Sequence, residues 1–121
     1  MCNIAVVQAG KRTIRVADIK SKYIANIIDA AKKSSGIDKI VLFGSSLGRN
    51  CKESSDMDLA IFGSQTRNKY FVTKEFKSFY DQLIMFDDFK QAYDILYFQT
   101  GSRNDDLILQ EIMQGEVLYE R

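Results

Sequence analysis

Two pairs of residues stand where one apolar segment ends and the next begins, and their chemistry suits a phosphate and a metal ion. Gly44 and Ser45 end the first segment, and Asp56 and Asp58 begin the second. Glycine lets the backbone turn sharply and approach a bulky anion closely. The serine and the amides that follow it supply a cluster of hydrogen-bond donors for phosphate oxygens.

The aspartate pair has the spacing of a metal ligand set. Side chains two apart on a strand point to the same face, so Asp56 and Asp58 can aim at one position. Carboxylates that close repel each other and raise each other's pKa unless a cation lies between them. The chain has no histidine and two cysteines, which favours oxygen ligands and therefore Mg²⁺ or Mn²⁺ over zinc. An isolated Asp-x-Asp is more often a turn, so it is the combination with the Gly-Ser turn that indicates a site.

The elements that must hold these residues follow from apolar periodicity and from the positions of glycines. Apolar residues recur on one helical face in three segments, with Val72 and Phe76 on the buried face of the second. Helices are therefore predicted over 18–34, 72–86 and 105–114, the last with Asn104 as its N-cap. Apolar runs predict strands at 39–43, 57–62, 93–98 and 117–119. Residues 3–16 hold two shorter runs around Gly10 and predict an edge hairpin or an N-terminal extension.

This order of elements predicts an α/β (α+β) fold, with a small mixed β-sheet and helices packed mainly on one face. The 121 residues, 45% of them apolar and 27% charged, fit a single domain over 1–121. No apolar run has the length of a membrane span, and the N-terminus does not read as a signal peptide, so we expect a cytoplasmic protein. Cys2 and Cys51 are then expected to be free thiols.

Charge is distributed unevenly along the chain. Residues 1–39 contain eight Lys or Arg and three Asp, a balance of +5, whereas residues 40–121 contain nine basic and thirteen acidic residues, a balance of −4. The basic segment suits a phosphate-bearing ligand or partner. The alternative is that Lys20, Lys22, Lys32 and Lys33 only solvate the outer face of the first helix. The absence of any other basic, aromatic-rich strip argues against nucleic acid as a partner.

Gly-Ser followed after ten residues by Asp-x-Asp resembles the signature of the polymerase-β-like nucleotidyltransferase superfamily, and the short chain resembles its minimal nucleotidyltransferase (MNT) domains. The resemblance covers about residues 18–119. It implies that Gly44, Ser45 and Arg49 bind the nucleotide's phosphates. Family members often carry Gly-Ser-x-Ala-Arg-Gly, whereas here Gly48 precedes Arg49.

The resemblance also implies a third carboxylate from a later strand, for which Asp94 is the matching residue. An Asp inside so apolar a strand costs several kcal/mol if it is buried and unpaired, so it needs a reason, and a metal is one. The alternative is that Asp94 lies at the solvated end of its strand. By the resemblance, Asp56, Asp58 and Asp94 would hold two Mg²⁺ ions, with Mn²⁺ as the other candidate.

The activity that the resemblance implies is transfer of a nucleoside monophosphate from a nucleoside triphosphate, with ATP as the first candidate, to a hydroxyl group on a protein partner, as pyrophosphate leaves. Minimal family members resemble antitoxin subunits of toxin–antitoxin systems that pair with a helical HEPN-type toxin. Two alternatives stay open. One is a catalytically weak antitoxin that neutralises a HEPN-type toxin by complex formation, and the other is a small-molecule, aminoglycoside-type nucleotidyltransferase. The acceptor site could also come from a second copy in a homo-oligomer.

Overall fold

Six strands and four α-helices form in the part of the chain that the structure, a computed structural model, describes, which is residues 2–101 and 107–121. Two 3₁₀ helices accompany them, at Asp18–Tyr23 and Gly44–Leu47. In chain order the main elements are β1 (Ile4–Ala9), β2 (Arg12–Ala17), α1 (Ile24–Lys32), β3 (Lys39–Phe43), β4 (Met57–Gly63), α2 (Arg67–Tyr70), α3 (Lys74–Met85), β5 (Tyr93–Gln99), α4 (Leu107–Met113) and β6 (Glu116–Glu120).

The main sheet has four strands in the order β5-β4-β3-β6. Strand β3 runs antiparallel to both of its neighbours, while β4 and β5 run parallel to each other. The predicted small mixed sheet is therefore confirmed. This arrangement brings the end of β3 and the beginnings of β4 and β5 to the same edge of the sheet. An antiparallel strand begins where its neighbour ends, and two parallel strands begin at the same edge.

Both faces of the sheet are covered, and the strand residues alternate between them as the pleat requires. One face packs beneath α1 and α3 in the larger core, through residues such as Leu42, Leu59 and Ile61. The other face packs beneath α4, where Ala60 and Ile112 belong to a smaller cluster. Helices thus lie mainly on one face, as expected, and α4 is the exception.

The predicted N-terminal hairpin is confirmed, although it does not extend the main sheet. Strands β1 and β2 pair antiparallel as a separate two-stranded sheet, with the turn at Gly10. Side chains rather than a backbone ladder join the hairpin to β6. Arg12 forms an ion pair with Glu120 at 2.6 Å, and the amide of Arg15 donates to the Glu116 carboxylate at 3.0 Å.

The helix boundaries differ from the sequence prediction for identifiable local reasons. The segment predicted as one helix over 18–34 begins as a 3₁₀ helix and becomes α-helical only at Ile24. The second helix begins at Lys74, because the Thr73 hydroxyl caps it by accepting from the Phe76 amide at 3.1 Å. Val72 therefore precedes the helix and is 85% exposed, not buried as predicted.

Two further points concern the helices. Helix α2 was not predicted, since its four residues carry too little periodicity to be recognised. The predicted last helix is present as Leu107–Met113, whereas its expected cap, Asn104, lies outside the described residues. Within residues 2–101 and 107–121, no helix has the length and apolar character needed to cross a bilayer.

Candidate active site

Four of the predicted site residues meet at the edge of the sheet where β3 ends and β4 and β5 begin. Asp58 is the second residue of β4 and lies opposite Phe43 on one side and Asp94 on the other. Asp56 immediately precedes β4, and Gly44 immediately follows β3. Strands in a sheet are about 4.8 Å apart. The register therefore places the Asp58 and Asp94 backbones in adjacent positions, with both residues on the same face of the sheet.

The Gly44 turn lies directly against the Asp58 side chain. Gly44 has φ = 80°, a left-handed conformation that L-residues other than glycine rarely adopt. A β-carbon at this position would collide with the Asp58 Oδ2 atom and would lie 3.3 Å from its Cγ. Glycine is thus needed here for its conformation and also for the room that it leaves beside a carboxylate.

Electrostatics set Asp58 apart from the other carboxylates. Burial raises the pKa of Asp58 above its ordinary value, and the negative charges of Asp94, Asp56 and Glu111 raise it further. Asp58 is half-buried, whereas the three charged neighbours are exposed. Asp94 therefore lies at the solvated end of its strand, and the expectation that burial requires a metal beside it was wrong. A cation among these groups would relieve the repulsion and favour the ionised form.

The donor chemistry fits Mg²⁺ or Mn²⁺, which prefer carboxylate oxygens. Whether the side chains are already arranged around a metal position is a separate question. Among residues 2–101 and 107–121, no three acidic or thiol side chains already surround a common metal position. The assignment of Asp56, Asp58 and Asp94 as metal ligands therefore stays a prediction. What the structure contributes is the shared edge, the register of Asp58 with Asp94, and the raised pKa of Asp58.

The other predicted binding residues follow the Gly44 turn. Ser45 is exposed, and its carbonyl accepts a hydrogen bond from the Gly48 amide at 3.0 Å, which closes the turn. Ser46 is fully buried, and its hydroxyl has no hydrogen-bond partner among the described residues. Arg49 is exposed, and its guanidinium forms no hydrogen bond or ion pair within the described parts of the chain. The roles of Gly44, Ser45 and Arg49 in phosphate binding stay predictions.

Sequence reasoning missed a buried lysine beneath this edge. Lys20 is only 1% exposed, so the expectation that it solvates the outside of a helix was wrong. Its Nζ atom donates to the carbonyls of Glu53 at 3.1 Å and Ser55 at 2.7 Å, and to Oε1 of Gln91 at 2.5 Å. Burial lowers the pKa of Lys20, while nearby negative groups, Asp56 among them, act in the opposite direction.

Two other features of the site were not predicted. Glu111 reaches the neighbourhood of Asp58 from α4, and nothing in its sequence context distinguishes it from an ordinary exposed helix residue. Gln91 is 3% exposed and turns its Nε2 toward the carbonyls of Ser55 and Ala92, at 3.0 and 2.6 Å. Both partners of this Nε2 are backbone atoms, which leave no trace in a sequence pattern.

The N-terminus holds the loop that follows the Gly44 turn. The Cys2 amide donates to the Arg49 carbonyl at 2.8 Å, and the Cys2 thiol donates to the Cys51 carbonyl at 2.6 Å. Both cysteines are free, as expected, and both are buried in a small cluster with Ala17. The segment that precedes β1 therefore supports the site's loop through Cys2.

Comparison with known proteins gives the same answer as the geometry. The family model described as Polymerase beta, Nucleotidyltransferase matches residues 25–121, which is most of the chain. A search of curated proteins finds no match. The matched segment includes the Gly44 turn and the three aspartates at the sheet edge. The sheet-edge geometry and the family match agree, and the chain belongs to the polymerase beta nucleotidyltransferase family.

Proposed function

We propose that this protein transfers a nucleoside monophosphate from a nucleoside triphosphate, with ATP as the first candidate, to a hydroxyl group. The observation that carries the proposal is the edge where Asp58 lies in register with Asp94 and against the Gly44 turn. Exposed carboxylates at a strand end beside a glycine turn suit a polyphosphate that binds together with divalent cations. Membership in the family indicates nucleotidyl transfer as the reaction class. The nucleotide, the acceptor and the mechanism are our proposal.

Each part of the site has a task in this reaction. Asp56, Asp58 and Asp94 would hold two Mg²⁺ ions, which when bound neutralise charge on the phosphates and on the leaving pyrophosphate. The backbone of the Gly44 turn and the exposed Ser45 hydroxyl would receive the terminal phosphates. Arg49, also exposed, is free to approach them from the loop.

The covalent step is an in-line displacement at the α-phosphorus. A hydroxyl oxygen of the acceptor forms the new P–O bond as the bond to the bridging α–β oxygen breaks, and pyrophosphate leaves. Asp94 is exposed at the mouth of the site, and we assign to its carboxylate the proton that the hydroxyl loses. That proton then passes to solvent, so the protein is unchanged at the end of the cycle.

We propose that the acceptor hydroxyl belongs to a protein partner of the HEPN type or to a second copy of the chain. Asp56, Ser45 and Asp94 are all exposed, so a macromolecule can approach the edge directly. A binding module that neutralises its partner without catalysis is the second candidate. It is favoured by two observations on the described residues: no three carboxylates surround one metal position, and the Arg49 guanidinium forms no hydrogen bond or ion pair.

The deciding experiment uses nucleoside triphosphates labelled at the α- or the γ-phosphate, with Mg²⁺ or Mn²⁺ and the product of a neighbouring gene. Wild-type protein should place the α-label, and not the γ-label, on the acceptor. Asp58→Asn should abolish transfer, whereas Asp81→Asn, which removes an exposed ion pair with Lys77 on α3, should not. If α-label transfer is absent with the wild type, or persists undiminished in Asp58→Asn, the catalytic proposal is wrong. Complex formation with the partner without label transfer would then favour the binding module.

A further inference from the structure

We propose that Lys20 is a positioning residue of the active site, which with Gln91 holds the two backbone segments that lead into Asp56 and Asp94. The catalytic consequence of this inference rests on the proposed function. Its structural part does not, because it concerns hydrogen bonds that order the loop before β4 and the turn before β5.

The contacts run without interruption from Lys20 to both strands. The Lys20 ammonium binds the carbonyls of Glu53 and Ser55, the latter being the residue immediately before Asp56. Gln91 accepts from the same ammonium and donates to the Ser55 carbonyl, so Ser55 is held twice. One lysine thereby sets the direction in which the chain enters Asp56.

The same network reaches the second strand. Gln91 also donates to the carbonyl of Ala92, two residues before Asp94. The Met57 amide donates to that carbonyl at 3.1 Å and so joins the starts of β4 and β5. A chain of hydrogen bonds that begins at Lys20 therefore joins the segments that lead into Asp56 and Asp94.

A lysine is a costly choice for this position. Removing an ammonium from water is strongly unfavourable, and replacing buried charged groups by apolar side chains of similar size is often neutral or stabilising. Lysine offers three charged donors on one atom, and here the three acceptors come from three different residues. A residue that only stabilised the core would not need three charged donors. Lys20 also precedes the segment that matches the family, residues 25–121, so this support comes from a different part of the chain.

The test compares Lys20→Met, which keeps the apolar stem and loses the donors, with Lys33→Met. Lys33 is a matched control because it lies in the same region of the chain but is exposed, and its ammonium forms an ion pair with the exposed Asp29. Amide hydrogen exchange is measured on peptides covering 52–58 and 91–94, and on β3 as an internal reference. Mn²⁺ affinity of the free protein is measured by titration, and kcat and KM for the nucleotide are measured separately.

In Lys20→Met we expect the Met57 amide and its neighbours to exchange at least about tenfold faster while β3 stays protected. Mn²⁺ affinity should fall by about 10- to 100-fold, the usual cost of losing a residue that orients metal ligands, and kcat should fall more than KM rises. Gln91→Leu should show the same pattern more weakly, and it serves as the test if Lys20→Met does not fold. Lys33→Met should match the wild type.

The outcomes separate the two proposals. If the wild type transfers no nucleotide, but Lys20→Met still loosens both segments and weakens Mn²⁺ binding, the positioning role holds and the proposed reaction fails. If Lys20→Met or its substitute Gln91→Leu is less stable, but has wild-type exchange in both segments and wild-type Mn²⁺ affinity, Lys20 only fills the core and the inference is overturned. Faster exchange with unchanged Mn²⁺ affinity also overturns it, since the loop then does not position the ligands.

Discussion

Substituting alanine for Gly44 probes the contact between the turn and the Asp58 carboxylate. An L-residue in the left-handed region costs about 1–2 kcal/mol, partly offset by about 0.4–1 kcal/mol because alanine restricts the unfolded chain. The new β-carbon also meets Asp58 Oδ2 and Cγ, so the carboxylate must leave its rotamer at a cost of about 0.5–1.5 kcal/mol. We expect Gly44→Ala to lower the free energy of unfolding by about 1–2.5 kcal/mol in total.

Gly10→Ala is the control that isolates the energetic cost of the contact with the Asp58 carboxylate. Gly10 has φ = 64°, so Gly10→Ala carries the same kind of backbone strain, but no atom lies within 4 Å of its added β-carbon. Gly10→Ala should therefore cost only about 0.5–1 kcal/mol, a melting shift of a few degrees, roughly 4 °C per kcal/mol for a domain of this size. It should leave metal binding and transfer unchanged, because the hairpin turn does not touch the site.

The assay combines thermal denaturation with Mn²⁺ titration and α-label transfer on both variants. Moving a ligand or reacting group by about 1 Å can cost about 100-fold in rate, so Gly44→Ala should lose at least that much activity. The loss should exceed what unfolding explains, since most molecules remain folded at 25 °C. If Gly44→Ala and Gly10→Ala prove equal in stability, metal affinity and transfer, the Gly44 turn does not constrain Asp58 and the reasoning is refuted.

Three further predictions test other parts of the fold. Asp58→Asn should raise the melting temperature near pH 7 while abolishing transfer. The raised pKa means that the ionised form destabilises the fold, so the gain should disappear as pH falls to the range where Asp58 is protonated in both states. Thr73→Ala should lower the free energy of unfolding by about 1 kcal/mol in chemical denaturation, because it removes the hydrogen bond that caps the Phe76 amide. Thr66→Ala is the control and should cost much less, because the Thr66 side chain makes no capping hydrogen bond. Leu59→Ala, in the larger core and 0% exposed, should cost about 2–5 kcal/mol by the same measurement, and a smaller loss would mean that this core is not tightly packed.

Local signals accounted for most of the elements. Strand β3 was predicted at its observed bounds, because an uninterrupted apolar run bounded by Lys39 and Gly44 leaves little freedom in where it begins and ends. Helix boundaries were less accurate. A 3₁₀ start at 18–23 and a cap at Thr73 depend on hydrogen bonds that several residue types can make, so the sequence leaves their positions open.

The candidate site was recognisable for a similar reason. Gly44, Asp56 and Asp58 are close in sequence, and it is their combination at the ends of two apolar segments that indicates a site. Asp94 was found only through the resemblance to a family. Its neighbour across the ladder is Asp58, 36 residues away along the chain, and no local pattern reports a parallel pairing of that range.

What the sequence determined by itself was therefore the set of elements and the chemistry at their ends, because periodicity, turn residues and carboxylate spacing are local properties. The tertiary structure decided which ends meet. It placed Asp94 beside Asp58, brought Glu111 near them from α4, and buried Lys20 beneath the loop that leads to Asp56. A lysine reads as a solvated charge in any sequence. Only the fold shows that three acceptors surround its ammonium. Two of them are backbone carbonyls, which every residue has and which a sequence pattern therefore cannot reveal.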